Sequence, residues 1–226
     1  MDTTFLNIHT HKPQKDDGFS VLNLDLDALC PKEGRFSFGI HPWSLDDKYF
    51  DSAKALKLLE ERLQNPNVVA LGEAGLDRLH KASFDRQMEV FEKQVVLSER
   101  FSKPLIIHNV KCNNEMLALH KKRKPRQAWI LHGFNGTEQD VKQLADQGFC
   151  FSVGAALLHA ERKIRKSILN IPLERLLFET DMADIDVVEL YQAAAELLGM
   201  SINALREQIF ANFAHYFNHA DGKLAR

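Results

Sequence analysis

Short apolar runs rich in Val, Ile, Leu and Phe recur along the whole chain, and amphipathic stretches separate most of them from the next. That alternation means a parallel sheet with helical crossovers. Strands are expected at Phe5 to His9, Phe19 to Leu24, Arg35 to Ile40, Val68 to Gly72, Pro104 to Ile107, Ala128 to Leu131, Phe149 to Val153 and Arg175 to Glu179. Eight is the number that closes a (β/α) barrel, so the expected fold is a short TIM-type (β/α)8 barrel. The connections from His11 to Gly18 and from Asp25 to Gly34 are too short and broken for full crossover helices. The first helices of the barrel are expected to be reduced or missing.

Later crossovers read more clearly. Asp46 to Gln64 places Ala53, Leu56, Leu59 and Leu63 at helical spacing, and Phe84 to Phe101 places Phe84, Met88, Phe91 and Val95 on one side. Thr137 to Gln147 begins on a good N-cap, carries Asp140 as its third helical residue and stops at Gly148. Helices over Asp186 to Leu198 and Ile202 to Phe217, with Ser201 as the cap between them, end the chain. There is no internal repeat, low-complexity segment or linker, so residues 1–226 are expected to form a single domain.

Composition narrows the class only a little. The 45% hydrophobic and 27% charged content is ordinary for a soluble domain, and no stretch approaches the roughly 18 apolar residues of a membrane span. Met1-Asp2-Thr3-Thr4 lacks the basic and apolar regions of a secretory signal, so a cytoplasmic protein is expected. Cys30, Cys112 and Cys150 lie far apart without a Cys-x-x-Cys, which argues for reduced thiols rather than disulfides or a thiolate zinc site. A formal charge of −2 excludes a globally basic nucleic-acid coat while leaving room for a local groove.

The polar residues change the picture. His9 and His11, two apart in an extended strand, offer two imidazoles to one side. Glu73 follows the fourth expected strand, His108 the fifth, His132 the sixth and Asp181 the eighth. Active sites of such barrels are built at the carboxyl ends of the strands, where residues far apart in sequence converge. Each residue alone has a dull explanation as a strand cap; six nitrogen and oxygen ligands together point to a metal centre. A catalytic zinc takes about three protein ligands, so six suit two metals, with Glu73 the bridging candidate. Two such cations lower the pKa of a shared water, and hydrolysis is the natural reaction. Zn, Mg, Mn, Fe and Ni all fit the donor set.

These residues make the chain resemble the TatD-related family of metal-dependent hydrolases, within the amidohydrolase-like barrels. The resemblance runs in order through the opening His-x-His, Phe38-Gly39-Ile40-His41-Pro42, Ala70-Leu71-Gly72-Glu73-Ala74-Gly75-Leu76-Asp77, Pro104-Leu105-Ile106-Ile107-His108, Leu131-His132-Gly133-Phe134-Asn135-Gly136, Leu177-Phe178-Glu179-Thr180-Asp181, and Asn212 to Phe217. It implies a divalent-metal phosphodiesterase, typically a DNase working from the 3′ end, with some relatives deacylating mischarged tRNA. By that pattern His9, His11, Glu73 and Asp181 serve one metal, and Glu73, His108 and His132 the other. Asp181 also orients or deprotonates the nucleophilic water. His41 and Asp77 match positions in the pocket wall or behind the ligands; His41 equally suits a role in fixing the Gly-Ile-His-Pro turn.

The chain also departs from the family. Trp43 stands where relatives carry a second histidine, Asn109 and Val110 replace a common Ser-Arg, Met182, Ala183 and Asp184 follow Asp181, and Lys12 and Pro13 follow His11. All ligands survive, while several residues that shape a nucleotide pocket do not. DNA is the expected substrate; an ester or amide in an aminoacyl-tRNA or small molecule, or a metal-bound barrel serving only as a binding module, are the alternatives. Lys121, Lys122, Arg123, Lys124 and Arg126 precede a strand and so belong on the face opposite the site. Arg162, Lys163, Arg165 and Lys166 begin a helix near the mouth, where a phosphate contact competes with a plain solvated face. Lys12 and Lys111 directly follow ligand-bearing strands and are better placed. Trp43 suits either stacking on a base or packing under its loop. The other histidines, His80, His120, His159, His215 and His219, are assigned to surface or packing.

Overall fold

The computed structural model describes residues 4–12 and 20–217. Eight strands form one sheet in chain order: β1 (Asn7–Thr10), β2 (Ser20–Asn23), β3 (Arg35–Phe38), β4 (Val68–Asp77), β5 (Leu105–Val110), β6 (Trp129–Leu131), β7 (Cys150–Val153) and β8 (Leu176–Phe178). A parallel bridge between Thr10 and Asp181 brings the end of β8 back to β1. The fold is a (β/α)8 barrel. Its contacts divide the chain into two compact units, residues 23–130 and residues 1–22 with 131–226. No helix among the described residues is long and apolar enough to cross a membrane.

In the unit of residues 23–130, β3, β4 and β5 pair in parallel, and β4 is buried along almost its whole length. Near-continuous burial is expected of parallel strands covered on both faces. Residues 24–34 contain no helix, as the broken composition of that connection predicts. The helix expected over Asp46 to Gln64 is shorter. A 3-10 turn covers Pro42–Asp46, and α1 runs only over Ser52–Leu63. Two aspartates account for the break. The Asp47 carboxylate accepts Tyr49 N–H at 2.8 Å in a local turn, and Asp51 caps the helix by accepting Lys54 N–H at 3.0 Å. The helix α2 spans Phe84–Phe101 as expected. A further helix, α3 (Asn113–Arg123), buries only Met116 and Leu119 and so leaves little apolar period in the sequence. Its basic end is neutralised against α2, with Lys122 and Arg123 on Glu92 and Arg126 on Glu99. Those pairs support the solvated-face reading of that basic run.

In the other unit, α4 (Glu138–Asp146) opens with the capping box that Thr137 and Asp140 promise, each side chain bonding the other's backbone N–H. The helices α6 (Val187–Leu198) and α7 (Ile202–Phe217) match expectation, and Ser201 Oγ accepts Ala204 N–H at 3.2 Å. Between β7 and β8 the basic stretch forms no long helix. The only α-helical piece there, α5, is the four residues Ile164–Ser167, followed by 3-10 turns and Pro172. Tyr191 of α6 anchors β1: buried, it donates to Leu6 O at 3.0 Å and packs on Phe5 and Phe178.

Candidate metal centre

The first group of donors is built by locking the residues after β8 onto β1. Asn7 and Thr180 exchange two hydrogen bonds, Asn7 Nδ2 to Thr180 Oγ1 at 2.8 Å and Thr180 N–H to Asn7 Oδ1 at 3.1 Å. One residue on, Asp181 N–H donates to His9 O at 3.0 Å and His11 N–H donates to Asp181 O at 3.2 Å. This zipper brings the Asp181 carboxylate within 3.7 Å of His9 Nε2 and 3.5 Å of His11 Nε2. All three donors lie within 4.8 Å of one another. Asp181 sits at φ +50°, a left-handed conformation that aspartate tolerates better than most residues. His9 is fully buried and Asp181 half-exposed, so the triad has a closed back and an open side.

His132 follows β6 directly, its ring 4.8 Å from that of His9. Its Nδ1 lies 3.1 Å from Oε1 of Glu179, which also accepts Gly133 N–H at 2.6 Å. Glu179 is completely buried, and its other oxygen has no hydrogen-bond partner among the described residues. Because a carboxylate only accepts, Nδ1 carries the proton and Nε2 keeps the lone pair that a ligand needs.

The second group belongs to the unit of residues 23–130 and follows from strand periodicity. Glu73, Gly75 and Asp77 alternate along β4, so both carboxylates project to one face with a gap between them. Gly75 pairs with His108 of β5. A Cβ at Gly75 would meet His108 O at 1.9 Å, and its φ is +157°, so glycine is required there. His108 thereby stands between the acids, Nδ1 2.8 Å from Glu73 Oε1 and Nε2 3.2 Å from Asp77 Oδ2. A neutral imidazole owns one N–H. Given to Asp77, it leaves the Nδ1 lone pair facing the Glu73 carboxylate, two electron-rich atoms that a divalent cation satisfies together. The donor set thus fits a metal.

His41 completes this group, within 4.8 Å of Glu73 and His108. Its Nδ1 accepts Trp43 N–H at 3.2 Å, which directs Nε2–H to Glu73 Oε1 at 3.1 Å. Asp77 also accepts from Trp43 Nε1 at 2.8 Å and from Leu79 N–H at 2.9 Å. Burial alone raises the Asp77 carboxyl, but the bonds from Trp43, His108 and Leu79 outweigh it and hold the group below the ordinary carboxylate value.

Not every ligand follows its strand. β4 runs on to Asp77 and β5 to Val110, so Glu73 and His108 lie inside strands, as His9 does in β1. The continued β4–β5 ladder, paired through Asp77 and Val110, is the reason. Lys12 Nζ approaches Asp184 at 4.0 Å, and Lys111 takes a left-handed turn, φ +58°, just after β5. Sequence reasoning overlooked Glu179, Asn7, Gln87 and Gln94. Asn7 continues the alternation of His9 and His11, and the two glutamines lie two helical turns apart, so a signal existed for each. Gln94 bonds both Ile40 N–H, at 2.7 Å, and Ile40 O, at 3.0 Å, while Gln87 does the same for Asp77 at 2.8 and 3.0 Å.

A parallel barrel carrying histidine and carboxylate donors of this kind defines a metal-dependent hydrolase. A family model described as TatD related DNase matches residues 22–218, and the chain belongs to that TatD-related family. It is similar to an uncharacterized metal-dependent hydrolase of Haemophilus influenzae, 29% identical over 181 residues, covering 76% of this chain and 68% of that protein. It is also similar to the human 3′-5′ RNA nuclease TATDN2, 34% identical over 151 residues, covering 64% of this chain and 19% of that protein. The crystal structure of the TatD homolog YjjV from Escherichia coli superposes with a TM-score of 0.82 at 21% identity, covering 95% of this chain and 98% of that one.

Proposed function

We propose that this chain is a divalent-metal-dependent phosphodiesterase that removes nucleotides from the 3′ end of single-stranded DNA in the cytoplasm. The observation that carries the reading is the triad of His9, His11 and Asp181, whose ligand atoms all lie within 4.8 Å of one another. His9, His11, Glu73, His108, His132 and Asp181 are the residues that would hold two divalent ions, which when bound would lower the pKa of water and neutralise charge on the phosphate oxygens. The protein's own part is to orient and to accept a proton. Asp181, the half-exposed carboxylate of its triad, takes the proton of the attacking water. Asp77 and Glu179 hold His108 and His132 in the tautomers that leave a lone pair for the ion. The three unpaired thiols, Cys30, Cys112 and Cys150, suit a reducing compartment.

The test is digestion of end-labelled single-stranded DNA and RNA with Mg²⁺ or Mn²⁺, beside Glu73→Ala prepared identically. Shortening from the 3′ end by the wild type and none by the variant is expected. Equal degradation by both would assign the activity to a contaminant.

A second reading, hydrolysis of an ester or amide in a small molecule or aminoacyl-tRNA, rests on one observation. The residue after His108 is Asn109, a neutral side chain whose amide donates to Asn113 Oδ1 at 2.7 Å. It supplies no charge to a phosphate. Turnover of an acyl ester with no cleavage of either nucleic acid would favour this reading.

A further inference from the structure

Trp43 combines two properties that rarely coincide. It is 51% exposed, yet held from several directions. Its indole N–H is bonded to Asp77, its backbone N–H to His41, and its ring lies flat on His80, centroids 4.9 Å apart at 13°. It also makes edge contacts with His41 at 4.9 Å and His108 at 5.7 Å. His80 is in turn fixed, its Nδ1 2.8 Å from the Asp46 carboxylate. An indole that serves only to cover a loop gains by burial; this one is immobilised while half its surface stays in water. A ring immobilised in advance loses little further entropy when a flat partner settles on it.

Its position says what that partner is. Asp77 joins Trp43 to His108 through one oxygen, Oδ2, so the indole borders a proposed metal ligand. A phosphodiester cleaved at such a site carries a nucleobase a few ångströms from the phosphorus, and every base offers a π-face. We propose that Trp43, seated on His80, is the stacking surface for the 3′-terminal base of the substrate. The inference rests on the nuclease reading and deepens it by naming a base-recognition subsite. Stacking is indifferent to base identity, so the subsite selects for the presence of a base rather than for a sequence.

The experiment compares a short single-stranded DNA bearing a normal 3′-terminal thymidine with the same strand ending in an abasic residue. The wild type is expected to prefer the base-bearing end by about tenfold in kcat/KM. Trp43→Phe keeps a ring and most of that preference. Trp43→Ala brings the ratio near one. Loss of the N–H to Asp77 is common to both substrates and divides out of the ratio. A binding readout accompanies it with Ca²⁺ as the metal. The only other tryptophan, Trp129, is buried, so quenching of protein fluorescence by the base-bearing strand reports on Trp43 and is expected to vanish in Trp43→Phe. If Trp43→Ala slows both substrates equally and leaves the ratio intact, the residue is structural and the subsite is refuted. If the metal-loaded wild type cleaves neither strand but hydrolyses an acyl ester, the nuclease reading itself falls and takes the subsite with it.

Discussion

Glu179 accepts two hydrogen bonds on a single oxygen, one from His132 Nδ1 and one from the N–H of Gly133, while remaining wholly buried. A carboxylate in such a place is costly unless its charge is used. Here it fixes both the tautomer and the direction of the imidazole beside it, which links the residues after β8 to the end of β6.

Replacing Glu179 is therefore expected to act on metal affinity. Glu179→Ala is expected to weaken divalent-ion binding about 10- to 100-fold, and to cost about 1 kcal/mol of stability by removing the oxygen that accepts from His132 and from Gly133 N–H, the latter on a residue exposed to water. Glu179→Gln keeps the acceptor and loses the charge, so stability returns more fully than affinity. Titration of the metal-free variants with Mn²⁺, beside urea unfolding, separates the two effects. Wild-type affinity in Glu179→Ala would remove the residue from the metal centre.

Gln94 does for β3 what Glu179 does for β6. Both polar groups of the Ile40 backbone are bonded to this one buried side chain, and His41 is the next residue. Gln94→Leu fills similar space but strands an N–H and a C=O in the interior, an expected loss of about 2–4 kcal/mol. Turnover should fall too, because the turn that aims His41 at Glu73 loses its support. A urea midpoint within experimental error of the wild type would contradict this account.

The two buried glutamines also show where the sequence was hard to read. Apolar periodicity found α2 through Phe91 and Val95, yet Gln87 and Gln94 occupy the buried face because they serve strand ends. Similarly, Gly72, Glu73, Gly75 and Asp77 are poor strand formers, and β4 was expected to stop at Gly72; pairing with β5 overrides that preference through Asp77. The charged helix α3 has two buried residues and no apolar stripe to find. By contrast, the donors were legible because their chemistry is unusual at strand ends: His9, His11 and Asp181 come together, as do Glu73 and His108. What bonds those donors from behind was not legible, since a buried Glu179 or Asn7 looks like any polar residue until its partner is known.

The cysteines give a pH prediction. Burial pushes the Cys150 thiol up to about 11. The folded pKa lies above the unfolded value, so folding favours the protonated form. The stabilisation is complete below about pH 9 and is lost as pH rises towards 11. Burial likewise raises Tyr216, which contacts Cys150, so its ionisation adds to the same alkaline loss. Cys150 should resist iodoacetamide at pH 8 while the partly exposed Cys30 reacts. Cys150→Ala should reduce the fall in stability between pH 9 and 11. Rapid labelling of Cys150 in the native protein at pH 8 would show that the thiol is neither buried nor suppressed.

Asp181 allows metal binding to be separated from folding, because its backbone and its carboxylate do different things. The backbone, at φ +50°, bonds His9 and His11 through main-chain atoms alone, and these contacts survive any side chain that tolerates the left-handed region. Asparagine does so as well as aspartate. Without metal, Asp181→Asn should match the wild type within about 0.5 kcal/mol. With Mn²⁺ at about one hundred times its dissociation constant, the wild type should gain about 2.7 kcal/mol, since the ion binds only the folded chain. The variant should gain clearly less and lose about 10²- to 10⁴-fold in turnover if the carboxylate serves, as proposed, both as a charged ligand and as the base for water. Thermal unfolding in EDTA and in Mn²⁺, run on both proteins, measures each quantity. Equal stabilisation by Mn²⁺ would mean that the Asp181 carboxylate does not hold the ion, and its role would contract to that of a proton acceptor.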